Sequence, residues 1–183
     1  MRIEKSLIAE KTIKAELIFP FVKEILSQGK QVRITVTGSS MYPFLRENID
    51  SVELSGCSLF DLRRGDIALI KRGNGQYILH RVLLRKADSF FIVGDAQQWV
   101  EGPVYEEQLI AIASAIYRTD FRISCSGGLW RIVSFLWLKL LPYRRLLIKG
   151  FRKSRKIMKD IMKCTVKFTS RGRPLFEKLN NKN

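Results

Sequence analysis

Residues 31–37 alternate strictly, and a series of short strand segments joined by turn sequences follows up to residue 117; no other feature narrows the fold as far. Residues 31–37 put Val32, Ile34 and Val36 on one face and Gln31, Arg33, Thr35 and Thr37 on the other, the pattern of a half-buried strand. Segments 51–54, 66–71, 76–84, 89–93 and 109–117 read as further strands. Gly73-Asn74-Gly75 and Lys86-Ala87-Asp88 are turn sequences that fold neighbouring strands into hairpins. Residues 15–28 break the rule, because Leu17, Phe21, Val22, Ile25 and Leu26 recur at helical spacing. Pro20 is expected near the first turn of that helix, with Gly29 as its stop. The expectation is a mainly β fold: a helical segment over 1–30, then a coiled antiparallel sheet over 31–120.

Charge divides the last third of the chain from that domain. Residues 1–120 hold 16 Lys and Arg against 15 Asp and Glu, a net of 16 − 15 = +1. Residues 121–183 hold 17 against 2, so 17 − 2 = +15 of the total of +16 lies there. A neutral domain with a basic arm implies an anionic partner surface. Residues 121–183 are accordingly expected to form a basic, amphipathic, helical tail.

Within the tail, residues 129–148 are rich in large apolar side chains but interrupted by Arg131, Lys139, Pro142, Arg144 and Arg145. Those charges argue against a spanning helix. Trp130, Trp137 and Tyr143 beside cations suit a helix lying at a bilayer interface. Residues 149–167 continue the basic character, with Ile157, Met158, Ile161 and Met162 on one helical face. An anionic membrane surface met through residues 129–167 is therefore the expected partner. Nucleic acid is disfavoured, because no DNA- or RNA-binding motif accompanies the charge.

Cys57, Cys125 and Cys164 are odd in number and far apart, which favours reduced thiols over a disulfide framework. One histidine and no Cys-x-x-Cys leave no expected metal site, and no cofactor motif is present. Residues 1–10 contain no apolar run of signal-peptide length, so a cytoplasmic protein, peripheral on the inner face of the membrane, is expected.

The candidate chemistry lies where the first strand ends. Residues 31–37 run into Gly38-Ser39-Ser40-Met41-Tyr42-Pro43, with Gly38 for a sharp bend, Pro43 to set the exit and Met41 to anchor the turn in the core. Ser40 then points outward. The single histidine, His80, alternates with Ile78 and Val82 on a later strand, a rigid and partly apolar setting. A serine hydroxyl is a weak nucleophile until a base takes its proton, and neutral imidazole suits that task at pH 7. If the two strands meet, backbone N–H groups around Ser39 and Met41 are candidates for the oxyanion site. Asp95 and Glu101 are the candidates for orienting the imidazole.

Ser40-Met41-x-Pro43, Arg64-Gly65-Asp66, His80-Arg81-Val82 and Gly94-Asp95-Ala96, in that order, resemble the boxes of the type I signal peptidase family. Self-cleaving SOS repressors share that fold. The resemblance implies a serine endopeptidase with Ser40 as nucleophile, acting on an extended leader or signal peptide. Most bacterial members use a lysine as base; His80 at that place is similar to the endoplasmic-reticulum, archaeal and sporulation-type branch. In that branch an aspartate six residues beyond the Gly-Asp aspartate completes the site, and here Glu101 stands there. The resemblance thus assigns the orienting role to Glu101 and leaves Asp95 to hold its loop. Gly38-Ser39 replaces the family's usual Ser-Gly, so one assisting hydroxyl is missing. The alternatives are a peptide- or membrane-binding module that keeps the fold without catalysis, or a basic nucleic-acid-binding protein.

Overall fold

The computed structural model describes residues 15–119, 121–151 and 153, which fall into two compact units divided between Pro142 and Tyr143. Helix α1 (Ala15–Ser27) opens the first unit, followed by strands β1 (Val32–Thr35), β2 (Asp50–Ser55), β3 (Ile67–Lys71), β4 (Tyr77–Arg85) and β5 (Ser89–Val93). Strands β6 (Glu101–Tyr105), β7 (Leu109–Arg118) and β8 (Phe121–Ser124) come next, and helix α2 (Gly128–Lys139) follows them. In the second unit, residues 144–151 are helical. The expected stripe of Ile157, Met158, Ile161 and Met162 lies outside the described residues.

Among the described residues the strands form one open, eight-stranded antiparallel sheet in the order β1-β2-β7-β3-β4-β5-β6, with β8 on the far part of β7. Long strand β7 is central and pairs with β2, β3 and β8. Strand β3 is buried on both faces, which is why Ile67-Ala68-Leu69-Ile70 reads as a continuous apolar run. Ile67 and Leu69 join one core with Val22 and Leu26 of α1, Met41, Leu45, Val52 and Leu54. Ala68 and Ile70 join the other with Val82, Phe90, Ile92, Val104 and Leu109.

The strand and hairpin expectations agree with this sheet, and three local findings differ. Pro20 lies inside α1, beyond the first turn. Strand β6 contains Gly102-Pro103, which no alternation reveals, and it is tolerated because β6 closes an edge and needs partners on one side only. The unit boundary falls after residue 142 rather than after 120, because β8 pairs with β7 and the Trp130 and Trp137 rings of α2 pack edge-on against Phe44. Those tryptophans thus face inward, against the expectation that they meet a bilayer; Trp137 is buried and Trp130 half-buried.

Candidate active site

Ser40 sits in the connection from β1 to β2, a loop closed on itself by several bonds. The Val36 N–H donates to the Asp50 carbonyl (2.9 Å) and the Asn48 N–H to the Val36 carbonyl (2.8 Å). Met41 and Leu45 plug the loop into the first core, and the Leu45 N–H donates to the Met41 carbonyl at 2.9 Å. Gly38 bends the chain at φ +82°, where a side chain is strained although space for one exists, and its N–H donates to Glu47 Oε1 at 2.9 Å. The Tyr42–Pro43 bond is cis. At the base, Asp50 takes the guanidinium groups of Arg46 and Arg118 at 3.0 and 2.8 Å, and Arg118 also donates to the Phe44 carbonyl. Burial opposes charge on Asp50, but those donated bonds prevail and hold its pKa below the usual carboxylate value.

A second loop meets the first. The Ala96 N–H donates to the Ser40 carbonyl at 2.7 Å, and Gly94 lies so close that an added Cβ would stand 2.9 Å from the same oxygen. Between them Asp95, fully buried, takes a two-point pair from Arg81: Nε to Oδ1 at 2.8 Å and Nη2 to Oδ2 at 2.7 Å. Arg81 also donates through Nη1 to the Gly65 carbonyl and to Ser134 Oγ of α2, and its guanidinium lies over the rings of Phe44 and Trp130. Nε, Nη1 and Nη2 of this buried cation are thus all directed at fixed acceptors.

His80 precedes Arg81 on β4, across from Ala68 of β3, and is 2 % exposed. Its Nδ1 is buried without a hydrogen bond and lies 3.9 Å from Glu101 Oε2, beyond hydrogen-bond reach but close enough for strong charge coupling. Glu101 is already held by Arg72, whose Nε donates to Oε1 at 2.6 Å and whose Nη2 donates to Oε2. Burial pushes the His80 pKa below the ordinary histidine value; Glu101 works against that shift and Arg72 reinforces it. The bonds from Arg72 hold the Glu101 carboxyl below its usual range. Imidazole beside carboxylate is thus kept neutral and able to accept a proton.

Ser40 and His80 are not hydrogen-bonded to one another among the described residues, and Ser40 Oγ makes no hydrogen bond there. No acceptor takes the N–H groups of Ser39, Ser40 or Met41 among the described residues. Ser40 borders a cleft of about 660 Å³ lined by Val32, Ile34 and Val36 on one side and Tyr77, Ile78 and Leu79 on the other. Ile18, Phe19 and Val22 of α1 line it too, and Phe19 stacks on Tyr77 with centroids 4.0 Å apart. Among the described residues each wall is a strand with one side unpaired: β1 pairs with β2 alone, and residues 77–79 of β4 pair with β3 on one side while β5 joins β4 only from Arg81 onward. Of the sequence candidates, then, His80 and Glu101 are neighbours, Asp95 is engaged by Arg81, and Gly38, Ser39, Ser40 and Met41 form the turn at the end of the cleft.

Nothing in the sequence singles out Arg72. Its partner Glu101 is 29 residues away and its own setting, just before Gly73-Asn74-Gly75, reads as turn chemistry. The same holds for Ser134: a serine inside an apolar helix carries no signal until Arg81 is seen beneath it. Among the described residues no cluster of His, Cys, Asp and Glu could hold a metal ion. No protein-family model matches the chain, and no curated protein matches it in sequence.

Proposed function

We propose that the protein is a serine endopeptidase of the signal-peptidase type, which cleaves an extended leader or signal peptide by Ser40–His80 chemistry. The observation that carries the reading is the cleft walled by two bare strand edges with Ser40 at its end. Exposed edges recognise extended peptides by adding them as a strand, with alternate side chains entering pockets on either side. Apolar walls at Ile34, Val36, Ile78 and Leu79 suit apolar or small side chains next to the cut.

With peptide in place, His80 turns toward Ser40 and accepts its hydroxyl proton as Oγ bonds to the scissile carbonyl carbon. The unclaimed N–H groups at Ser39–Met41 receive the developing oxyanion. The C–N bond then breaks, the imidazolium returns the proton to the leaving amine, and water repeats the sequence to free the enzyme. Glu101 offsets the positive charge on His80, while Arg81 and Asp95 hold the strand and the Gly94–Ala96 loop in register.

A phosphonylating serine probe, followed by mass analysis of the labelled peptide, tests this. Label on Ser40 that disappears in both Ser40→Ala and His80→Ala is expected. Absence of label from mildly acidic to mildly alkaline pH, with and without peptide, removes the reading. The missing Ser40–His80 hydrogen bond favours a second reading, a peptide-binding module without catalysis. That module binds peptide equally well as parent and Ser40→Ala, and neither cleaves it.

A further inference from the structure

Helix α2 carries apolar residues on both sides. Inward, Trp137 and Leu138 are buried, Trp130 packs edge-on to Phe44, and Ser134 accepts a bond from Arg81 at 2.7 Å. Outward, Leu129, Ile132, Phe135 and Leu136 are 78, 58, 48 and 53 % exposed. These four fall on one stripe of the helix, on the side that a helix packed on a water-soluble domain normally fills with polar residues. Leu140, also exposed, extends the stripe past the helix end. A continuous apolar surface of this kind marks a docking site.

Charge selects the occupant. Helix α2 contains no acidic residue; of its cations, half-buried Arg131 borders the stripe, and exposed Lys139 lies within it, its ammonium 5.5 Å from the centroid of the Phe135 ring. Residues 121–183 as a whole carry 17 Lys and Arg against 2 Asp and Glu. A second copy would bring the same excess of positive charge to the contact, which repels. An anionic bilayer offers hydrocarbon to the apolar side chains and phosphate to Arg131 and Lys139. The helix is too short to cross one: 12 residues rise about 18 Å, and among the described residues no helix is long and apolar enough to span a membrane.

We propose that the outward stripe of α2 docks on an anionic bilayer, with the helix lying in the plane of the interface. The Ser134–Arg81 bond and the Trp137–Phe44 contact make this a fixed feature of the domain rather than a loose appendage. The proposal rests on α2 and its charges and is independent of peptide cleavage.

Co-sedimentation of the full chain with phosphatidylcholine vesicles, with and without phosphatidylglycerol, tests it. The parent is expected to pellet with the phosphatidylglycerol vesicles. Combined Leu129→Ser, Ile132→Ser and Leu136→Ser substitution lowers that partitioning at least about tenfold. Leu129→Glu alone, at the most exposed position of the stripe, weakens binding about tenfold and guards against misfolding of the triple variant. Failure of the parent to bind, or retention of full binding by Leu129→Glu, overturns the proposal. So does a parent dimer that the triple variant converts to monomer, or tighter parent binding to duplex DNA than to the anionic vesicles at the same salt.

Discussion

The carbonyl oxygen of Ser40 accepts the N–H of Ala96 at 2.7 Å, and Gly94 stands beside that bond with no room for a side chain. Two loops far apart in sequence are thereby held face to face. Since Asp95 between them takes the neighbour of His80 on β4, the same short stretch ties the serine turn to the histidine strand.

That contact makes Gly94→Ala a sharp probe. The new Cβ would lie 2.6 Å from Gln97 Oε1, which can swing away, and 2.9 Å from the Ser40 carbonyl, which is backbone and must move. A stability loss of about 1–3 kcal/mol is expected, together with at least about a tenfold fall in Ser40 labelling rate from misplacement of the nucleophile. Thermal melts and probe kinetics on the same samples measure both. Unchanged labelling would show that the Ser40 carbonyl position does not limit the chemistry.

The two acids should separate cleanly. Asp95→Ala strands the fully buried Arg81 guanidinium and is expected to destabilise by about 3–5 kcal/mol. Glu101→Gln leaves the core intact and shifts stability by about 1 kcal/mol or less, while turnover falls at least about tenfold through loss of charge beside His80. Denaturant unfolding and peptide cleavage, measured for each variant, give the comparison. Equal effects on folding and cleavage in both variants would contradict the division of roles.

In the proposed mechanism His80 sets the pH profile. Its folded pKa lies below the ordinary histidine value, so the neutral base persists through pH 7 and the acid limb of kcat/KM falls below about 6.5. For stability the sign is the same: the contribution is complete above the unfolded value and declines as pH drops toward the folded one, since the unfolded chain protonates first. Arg72→Gln removes a nearby cation that lowers this pKa, so the acid limb moves to higher pH. A profile that stays in place or moves to lower pH in that variant would sink the electrostatic argument.

Phe19 of α1 roofs the cleft through its stack on Tyr77. Phe19→Ala is expected to cost about 2 kcal/mol, less than a fully buried phenylalanine, and to widen the space above Tyr77. Cleavage of a peptide series graded by side-chain size should shift toward bulkier residues. An unchanged series would mean that the roof does not contact substrate.

Alternation exposed β1, β2 and β7 because each buries one face more than the other, and Gly73-Asn74-Gly75 announced its hairpin. Strand β6 was hidden by Gly102-Pro103, residues whose local preference contradicts a strand. The orientation of α2 was illegible for a different reason. Trp130 and Trp137 suit a bilayer interface as well as a core, and only Phe44, more than eighty residues earlier, decides the matter. At the site, Ser40 and His80 stood out through residue type and setting. Arg72 could not, because its meaning comes from the pairing of β5 with β6 that brings Glu101 near.

A bare strand edge invites neighbours of every kind, including the edge of an identical molecule. Strand β1 is only four residues long, carries Arg33 stacked on Tyr117, and is overhung by α1. A lone, slender polypeptide can slide beneath that overhang; the thick rim of another folded sheet cannot. On the proposed reading, the edge that takes one extended peptide is thus shielded from edge-to-edge pairing with a second sheet.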